Sequence, residues 1–115
     1  MEMIEEKRDD MLILKLDGEL SGGSEAKPFQ DRLYTAIREG QVNVIVDMRD
    51  IKWMNSSGLG ILMAGLSTLR GSGGDLRLAC LSERLRRPIE ITRLDSVIMV
   101  YDTVDDAIDS YRSGG

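Results

Sequence analysis

The stretch VNVIVDMRDIKWMNSSGLG, residues 42–60, holds the two signals that decide the fold. Its first part, Val42 to Val46, is a nearly continuous β-branched run, which is typical of a strand covered on both faces of a mixed or parallel sheet. Its last part contains polar, helix-capping residues. An apolar run begins there and continues beyond residue 60, with leucines at helical spacing: Leu59, Leu62, Leu66 and Leu69. We predict that the strand ends at Asp47, that residues 51–57 form a loop, and that a helix follows.

The segments on either side alternate between strand and helix patterns. We predict an opening hairpin of strands at residues 3–6 and 11–16, followed by a first helix at 28–40 that ends at a glycine. After the central strand and the second helix we predict a fourth strand at 76–80 and a third helix that begins with Ser82 as its cap. A last strand at 97–100 and a last helix from Thr103 complete the order. Pro88 lies deep in the third helix, where we expect a kink and not a late helix start. The order β, β, α, β, α, β, α, β, α predicts an α/β fold.

Parallel strands joined by right-handed helical crossovers follow from this alternation, and the hairpin supplies an antiparallel edge. We therefore expect a mixed, mostly parallel sheet of about five strands with about four helices packed against it. The chain of 115 residues is expected to form a single domain, residues 1–115, with a core at about 3–112. The tail Ser113-Gly114-Gly115 should fray.

Composition and charge argue against several classes of function. A net charge of −5 argues against a nucleic-acid partner held by phosphate contacts. The one basic cluster, Arg84 to Arg87, is interpreted as a solvated helix face. The chain has no histidine, which excludes Ser-His-Asp and Cys-His catalysis and histidine metal sites. We expect no enzymatic activity, no metal site and no cofactor.

The residue content also bears on the compartment. The first six residues lack the basic and apolar regions of a secretory signal, and no run approaches the roughly 20 apolar residues of a membrane span. A single cysteine, Cys80, allows no intrachain disulfide and fits a reducing compartment. We expect a cytoplasmic protein without direct membrane insertion.

The serine-glycine segment at 55–60 allows three interpretations. A side-chain oxygen of Asn55, Ser56 or Ser57 can cap a free backbone N–H, which contributes about 1 kcal/mol. A serine there can also carry a phosphate, or the helix start can bind a small anion, because the dipole and free N–H groups favour negative charge. Two glycines so early in a helix cost roughly 0.8 to 1 kcal/mol each, which predicts a close approach of backbone or of another chain.

Trp53 and Met54 directly precede this segment. They form either an exposed apolar anchor for a partner or a cover for the end of the core, and the sequence leaves both possibilities open. The glycine spacing matches neither the Walker phosphate loop nor the G-x-G-x-x-G fingerprint. Nucleotide binding is therefore not predicted.

Four segments, in order along nearly the whole chain, resemble the STAS domain family: LILKLDGEL at 12–20, VIVDM at 44–48, NSSGLG at 55–60 and YDTVDDA at 101–107. More narrowly, the chain is similar to the bacterial anti-sigma factor antagonists. The resemblance implies that Ser56, with Ser57 as its neighbour, is phosphorylated by a partner anti-sigma factor serine kinase. It also implies that the unphosphorylated protein binds that kinase and releases a sigma factor, and that a serine phosphatase acts as a further partner.

The resemblance further implies a partner-binding surface on a protein that is a monomer or weak dimer, with these residues: Ser21, Trp53, Met54, Asn55, Ser56, Ser57, Gly58 and Leu59. The sequence departs from the family pattern at two positions. Asn55 stands where the family usually has aspartate, and Ser21 stands where an acid commonly follows Gly-Glu-Leu. These departures favour an alternative, a STAS module that binds partners without being phosphorylated, in a signalling scaffold or beside a transporter.

Overall fold

The computed structural model describes residues 1–113 and is built around one five-stranded mixed sheet. Its strands are β1 (Glu2–Arg8), β2 (Met11–Leu20), β3 (Asn43–Met54), β4 (Asp75–Ala79) and β5 (Val100–Tyr101). Its helices are α1 (Ala26–Arg38), α2 (Ser56–Gly71), α3 (Glu83–Ile91) and α4 (Val104–Arg112), with a 3₁₀ turn at Leu94–Ser96. The strands lie in the order β1-β2-β3-β4-β5. The predicted fold class and the predicted order of elements are confirmed.

The opening hairpin supplies the antiparallel edge of the sheet. β1 and β2 pair from Glu2 opposite Asp17 to Arg8 opposite Met11, and Asp9 takes a left-handed conformation (φ 57°) in the tight turn between them. β2, β3, β4 and β5 then pair in parallel, each pair joined through a helix. The carboxyl ends of these four strands therefore meet at one edge of the sheet, where α1, α2 and α3 begin.

The core lies on both faces of the sheet because alternate strand residues point to opposite sides. On one face, β2 and β3 residues pack with α1, α2 and α3: Leu12, Leu14, Leu16, Val44, Val46, Phe29, Leu33, Leu62, Leu66, Leu85 and Ile89. On the other face, a smaller cluster packs with α4: Met11, Ile13, Ile45, Ala79, Ala107 and Ile108. Coverage on both faces explains the β-branched run of β3.

The predicted end of the central strand is wrong, and so is the loop predicted at residues 51–57. β3 continues seven residues beyond Asp47, to Met54, because its second half pairs with the end of β2. The pairing there joins Gly18 to Ile51 and Leu20 to Met54, with register irregularities that local patterning did not reveal. The serine segment therefore follows directly from the end of a long strand.

One further boundary differs from the sequence prediction, and one agrees with it. The last strand begins at Val100 and not at residue 97. Residues 94–96 form a 3₁₀ turn, and Ile98 after it is buried in the core. α3 is capped by Ser82 as predicted and continues through Pro88, which excludes a late start and leaves the kink a prediction. Gly114 and Gly115, most of the tail expected to fray, lie outside the described residues.

No helix within residues 1–113 combines the length and the hydrophobicity that crossing a membrane requires.

Candidate functional site

The start of α2 is capped by the side chain of Asn55. Its Oδ1 accepts a hydrogen bond from the backbone N–H of Gly58 at 2.8 Å, and its own backbone is extended (φ −103°, ψ −177°). Among Asn55, Ser56 and Ser57, the three residues that the sequence offered for the cap, Asn55 makes it. Ser56 and Ser57 occupy the first two helical positions, are exposed, and within residues 1–113 donate no side-chain hydrogen bond. Their hydroxyl groups are free for another role.

Gly58 seats the helix on the end of β2. A β-carbon at this position would stand 1.8 Å from the carbonyl oxygen of Leu20, a separation that no side chain can occupy. The same carbonyl accepts a hydrogen bond from the N–H of Asn55 at 3.3 Å. Close backbone approach, one of the two expected explanations, thus accounts for Gly58, whereas Gly60 faces open space and nothing in the structure explains it.

A buried carboxylate that the sequence reading missed organises the loop between β2 and α1. Oε1 of Glu25, a residue only 9% exposed, accepts hydrogen bonds from the N–H of Ser21, from the N–H of Gly22 at 2.7 Å and from the Ser21 hydroxyl at 3.2 Å. These contacts fix the two residues that follow the Gly-Glu-Leu segment. The only sequence signal for this role is a glutamate placed four residues after Ser21, at the end of a glycine-rich turn.

The ionised form of Glu25 is strongly favoured. Hydrogen bonds from backbone N–H groups, first its own and then those of Ser21 and Gly22, lower its pKa to about 2 although burial opposes the charge. The loop is therefore held by a fixed negative charge at neutral pH.

The loop also touches the serine segment directly. Gly22 adopts φ +85°, and a β-carbon built on it would lie 2.4 Å from the Cβ of Ser57. This contact brings the half-buried Ser21 and the start of α2 into one continuous surface, as the predicted partner-binding set requires. Ser57 is flanked by the loop.

The remaining predicted site residues divide by exposure. Trp53 is 43% exposed and lies beside Glu19 of β2, while Met54 is half-buried and packs against the core. Met54 therefore covers the end of the core, whereas the role of Trp53 as an apolar anchor for a partner stays a prediction. Gly58 and Leu59 are buried beneath the exposed serines, and their place in the partner-binding set stays a prediction.

The acidic residue Asp47 makes a hydrogen bond within its own strand. Asp47, in the middle of β3 and 6% exposed, accepts a hydrogen bond from the N–H of Arg49 at 3.0 Å. Within the part of the chain that the structure describes, no group of three or more histidine, cysteine or acidic side chains is placed to hold a metal ion. The site offers the exposed hydroxyl groups of Ser56 and Ser57, a capped helix start and the exposed aromatic side chain of Trp53. These groups suit recognition by another protein.

Comparison with known proteins gives this surface a context. Residues 2–107 match the STAS domain family. An anti-sigma-B factor antagonist of Listeria monocytogenes is 30% identical over 97 residues, which cover 84% of this chain and 84% of that protein. The Bacillus cell fate determinant SpoIIAA in its phosphorylated form has a similar structure, with a TM-score of 0.72, 23% identity, and coverage of 96% of this chain and 99% of that one.

A sulfate transporter family protein from Wolinella succinogenes also shares the fold, with a TM-score of 0.79, 20% identity, and coverage of 91% of this chain and 87% of that one. Identities this low show a common fold alone. The match over residues 2–107 is decisive for the class: this chain belongs to the STAS domain family. Within that family its relatives include the anti-sigma factor antagonists, and the predicted resemblance is confirmed.

Proposed function

We propose that this protein is an anti-sigma factor antagonist whose binding surface is switched by phosphorylation of Ser56. In its unphosphorylated state it binds an anti-sigma factor serine kinase and thereby releases a sigma factor, and a serine phosphatase restores that state. The observation that carries the proposal is the exposed, unbonded hydroxyl of Ser56 in the first turn of α2, in a chain related to the antagonist of Listeria. The protein acts by binding, in the cytoplasm, as a monomer or weak dimer.

The contact between Gly22 and Ser57 favours Ser56 as the phosphate acceptor. A kinase must bring the γ-phosphate of ATP into line with the attacking hydroxyl, which requires open space around that oxygen. The Cβ of Ser57 lies where a β-carbon on Gly22 would clash, so the loop crowds this residue. Both serines are exposed, but the contact with Gly22 is made by Ser57, so we expect Ser56 to enter a kinase site without displacing the loop.

The start of α2 can hold a phosphate without unfolding. Free backbone N–H groups and the helix dipole favour negative charge in the first turn, and phosphorylation adds about −1.5 to −2 charges at pH 7. Asn55 caps the helix as a neutral amide, so it adds no repulsion to a phosphate on Ser56. The family aspartate is therefore not required for a stable phosphorylated state.

The same phosphate would block partner docking. Ser21, Trp53 and Ser56 lie around one edge of the sheet, with Trp53 supplying exposed apolar area and the serines supplying hydrogen-bonding groups. A dianion introduced there must be desolvated when a partner covers it, which opposes association unless the partner provides cations.

Phosphorylation in vitro tests the proposal. Each anti-sigma factor kinase homologue encoded in the source genome is purified and incubated with the protein and ATP, and the intact mass is measured. We expect one added phosphate on the wild type and on Ser57→Ala, and none on Ser56→Ala. A kinase that is active on another substrate but adds no phosphate at Ser56 would contradict the switch.

A second candidate is a STAS module that binds its partner without phosphorylation. Asn55 and Ser21, in place of the usual acids, favour it, and the Wolinella transporter-family structure shows that the fold also occurs outside sigma-factor regulation. Stable recovery of a permease or scaffold subunit with both wild type and Ser56→Ala, together with no phosphate transfer, would support this candidate.

A further inference from the structure

The outward face of α3 carries a short basic and apolar stripe. Leu85 and Ile89 are buried and hold the helix against the core, so the opposite side of the helix faces solvent. Arg84, Arg87 and Ile91 share that side because they are spaced i, i+3 and i+7. All three are exposed, and Ile91 is 70% exposed, a large fraction for an isoleucine. We call these three residues the α3 stripe.

Among the residues that the structure describes, the guanidinium groups of the α3 stripe have no carboxylate partner. Within residues 1–113, neither Arg84 nor Arg87 makes a side-chain hydrogen bond or ion pair, while Arg86 between them is bound to Asp102 at 2.7 Å. Most other arginines of this acidic chain pair with carboxylates: Arg8, Arg32, Arg70, Arg77 and Arg112. Two arginines without a carboxylate partner thus lie together on α3, and the exposed Arg93, whose side chain is likewise unpaired in the described chain, follows the helix.

The α3 stripe is placed beside the candidate site. α2 follows β3 and α3 follows β4, and these neighbouring strands are parallel, so both helices begin at the same edge of the sheet. Arg84, in the first turn of α3, therefore lies on the same side of the domain as Ser56.

We infer that the α3 stripe binds an acidic amphipathic segment of a protein partner, with carboxylates on Arg84 and Arg87 and an apolar side chain on Ile91. Arginine suits this role because its planar guanidinium binds a carboxylate through two parallel hydrogen bonds. Identifying that partner with the anti-sigma factor kinase rests on the proposed function. The proposal gives a function to a cluster that the sequence analysis interpreted as a solvated helix face.

Charge argues for a protein partner over a polyanion. The chain carries −5 overall, and Glu83 and Glu90 flank the α3 stripe on one side of the helix. Binding to nucleic acid or to an anionic membrane depends on many cations acting together, which this surface does not offer. A partner segment with two carboxylates and one apolar side chain matches both the charge and the exposed Ile91.

A peptide titration tests the stripe independently of any kinase. The ¹⁵N-labelled protein is titrated with a synthetic amphipathic helical peptide whose polar face is all glutamate, and with the same peptide carrying lysine instead. At about 50 mM salt we expect amide shifts along residues 84–91 with the acidic peptide only, weakened at about 300 mM. Shifts confined to other basic surfaces, such as Lys7 or Lys52, would overturn the inference. So would stronger binding of an oligonucleotide or of anionic vesicles at the same residues.

Charge reversal supplies a matched pair of variants. The test variant is Arg84→Glu/Arg87→Glu, and its control is Lys27→Glu/Arg38→Glu. Both variants change the net charge equally, but the control substitutions lie on exposed residues of α1. We expect the first variant alone to abolish the peptide shifts and to weaken binding of the phosphorylating kinase by about tenfold or more. Equal losses in both variants would refute the stripe while leaving Ser56 phosphorylation standing. Failure of every kinase to bind the wild type would contradict the proposed function, and the peptide result would still decide the stripe.

Discussion

Gly22 and Ser57 are in direct backbone-to-side-chain contact, so that a β-carbon on Gly22 would lie 2.4 Å from the Cβ of Ser57. This relationship joins the loop after β2 to the first turn of α2, although 35 residues separate them in the sequence. The candidate partner surface is therefore one continuous unit whose two halves depend on each other.

We predict that Gly22→Ala destabilises the protein more than backbone strain alone explains. Alanine at φ +85° is strained, and its methyl group would also displace Ser57. We expect a loss of about 2–3 kcal/mol in the free energy of unfolding, measured by urea denaturation. Gly40→Ala is the matched control, because Gly40 has φ +80° and a β-carbon built there would meet no neighbouring atom within 4 Å. It should cost about 1 kcal/mol. Equal losses at both positions would show that the contact with Ser57 is unimportant.

The two early glycines of α2 should respond oppositely to alanine. Gly58→Ala places a methyl group against the Leu20 carbonyl, and we expect a loss of about 3 kcal/mol or more. Gly60 faces open space within the helix, so Gly60→Ala should stabilise the protein by up to about 1 kcal/mol. Thermal and urea denaturation of both variants check the prediction, which a destabilising Gly60→Ala would contradict.

Glu25 should make stability depend on pH in the acid range. Its pKa is about 2 in the folded protein against a usual value of 4.5, so the ionised form stabilises the fold fully above about pH 4.5. That contribution is lost as the pH falls from 4.5 towards 2. The difference in unfolding free energy between wild type and Glu25→Gln should therefore be largest near neutral pH and shrink across this window.

A direct titration of the Glu25 carboxyl carbon by NMR provides the independent check. The midpoint should fall well below the usual value, near 2. A midpoint near 4.5 would mean that the carboxylate does not hold the loop as described.

Position 55 should tolerate aspartate but not alanine. Asn55→Asp keeps an oxygen that accepts from the Gly58 N–H, so the stability should change by less than about 0.5 kcal/mol. Asn55→Ala removes the cap and should cost about 1 kcal/mol. If Asn55→Asp is as destabilising as Asn55→Ala in urea denaturation, the cap depends on the amide and not on the shared oxygen.

A charge at Ser56 should block partner binding without unfolding the domain. Ser56→Asp places a negative charge in the first turn of α2, where it should stabilise the helix by about 0.3–1 kcal/mol. Kinase affinity, measured by calorimetry, should nevertheless fall by about tenfold or more because the charge lies in the interface. Ser67→Asp, at an exposed position in the same helix, is the control and should bind like the wild type. Undiminished binding by Ser56→Asp would place Ser56 outside the interface.

The sequence by itself determined the order of the elements and the starts of α3 and α4, and it left the cap of α2 open among three neighbouring residues. Asn55, Ser82 and Thr103 each accept a hydrogen bond from a backbone N–H three residues later, a contact that depends only on local backbone geometry. The β-branched run of β3 indicated coverage on both faces, because strand patterning records burial residue by residue. These features can be predicted from the sequence because each depends on residues close together in the chain.

Tertiary structure alone decided the site. β3 extends to Met54 because its second half gains hydrogen bonds from β2, a partner more than 30 residues earlier in the chain. Gly22 meets Ser57 for the same reason, since the end of β2 and the end of β3 lie side by side at one edge of the sheet. Which arginines remain unpaired likewise depends on where distant carboxylates fold. Contacts between segments far apart in sequence carry no local pattern, so only the folded chain could show them.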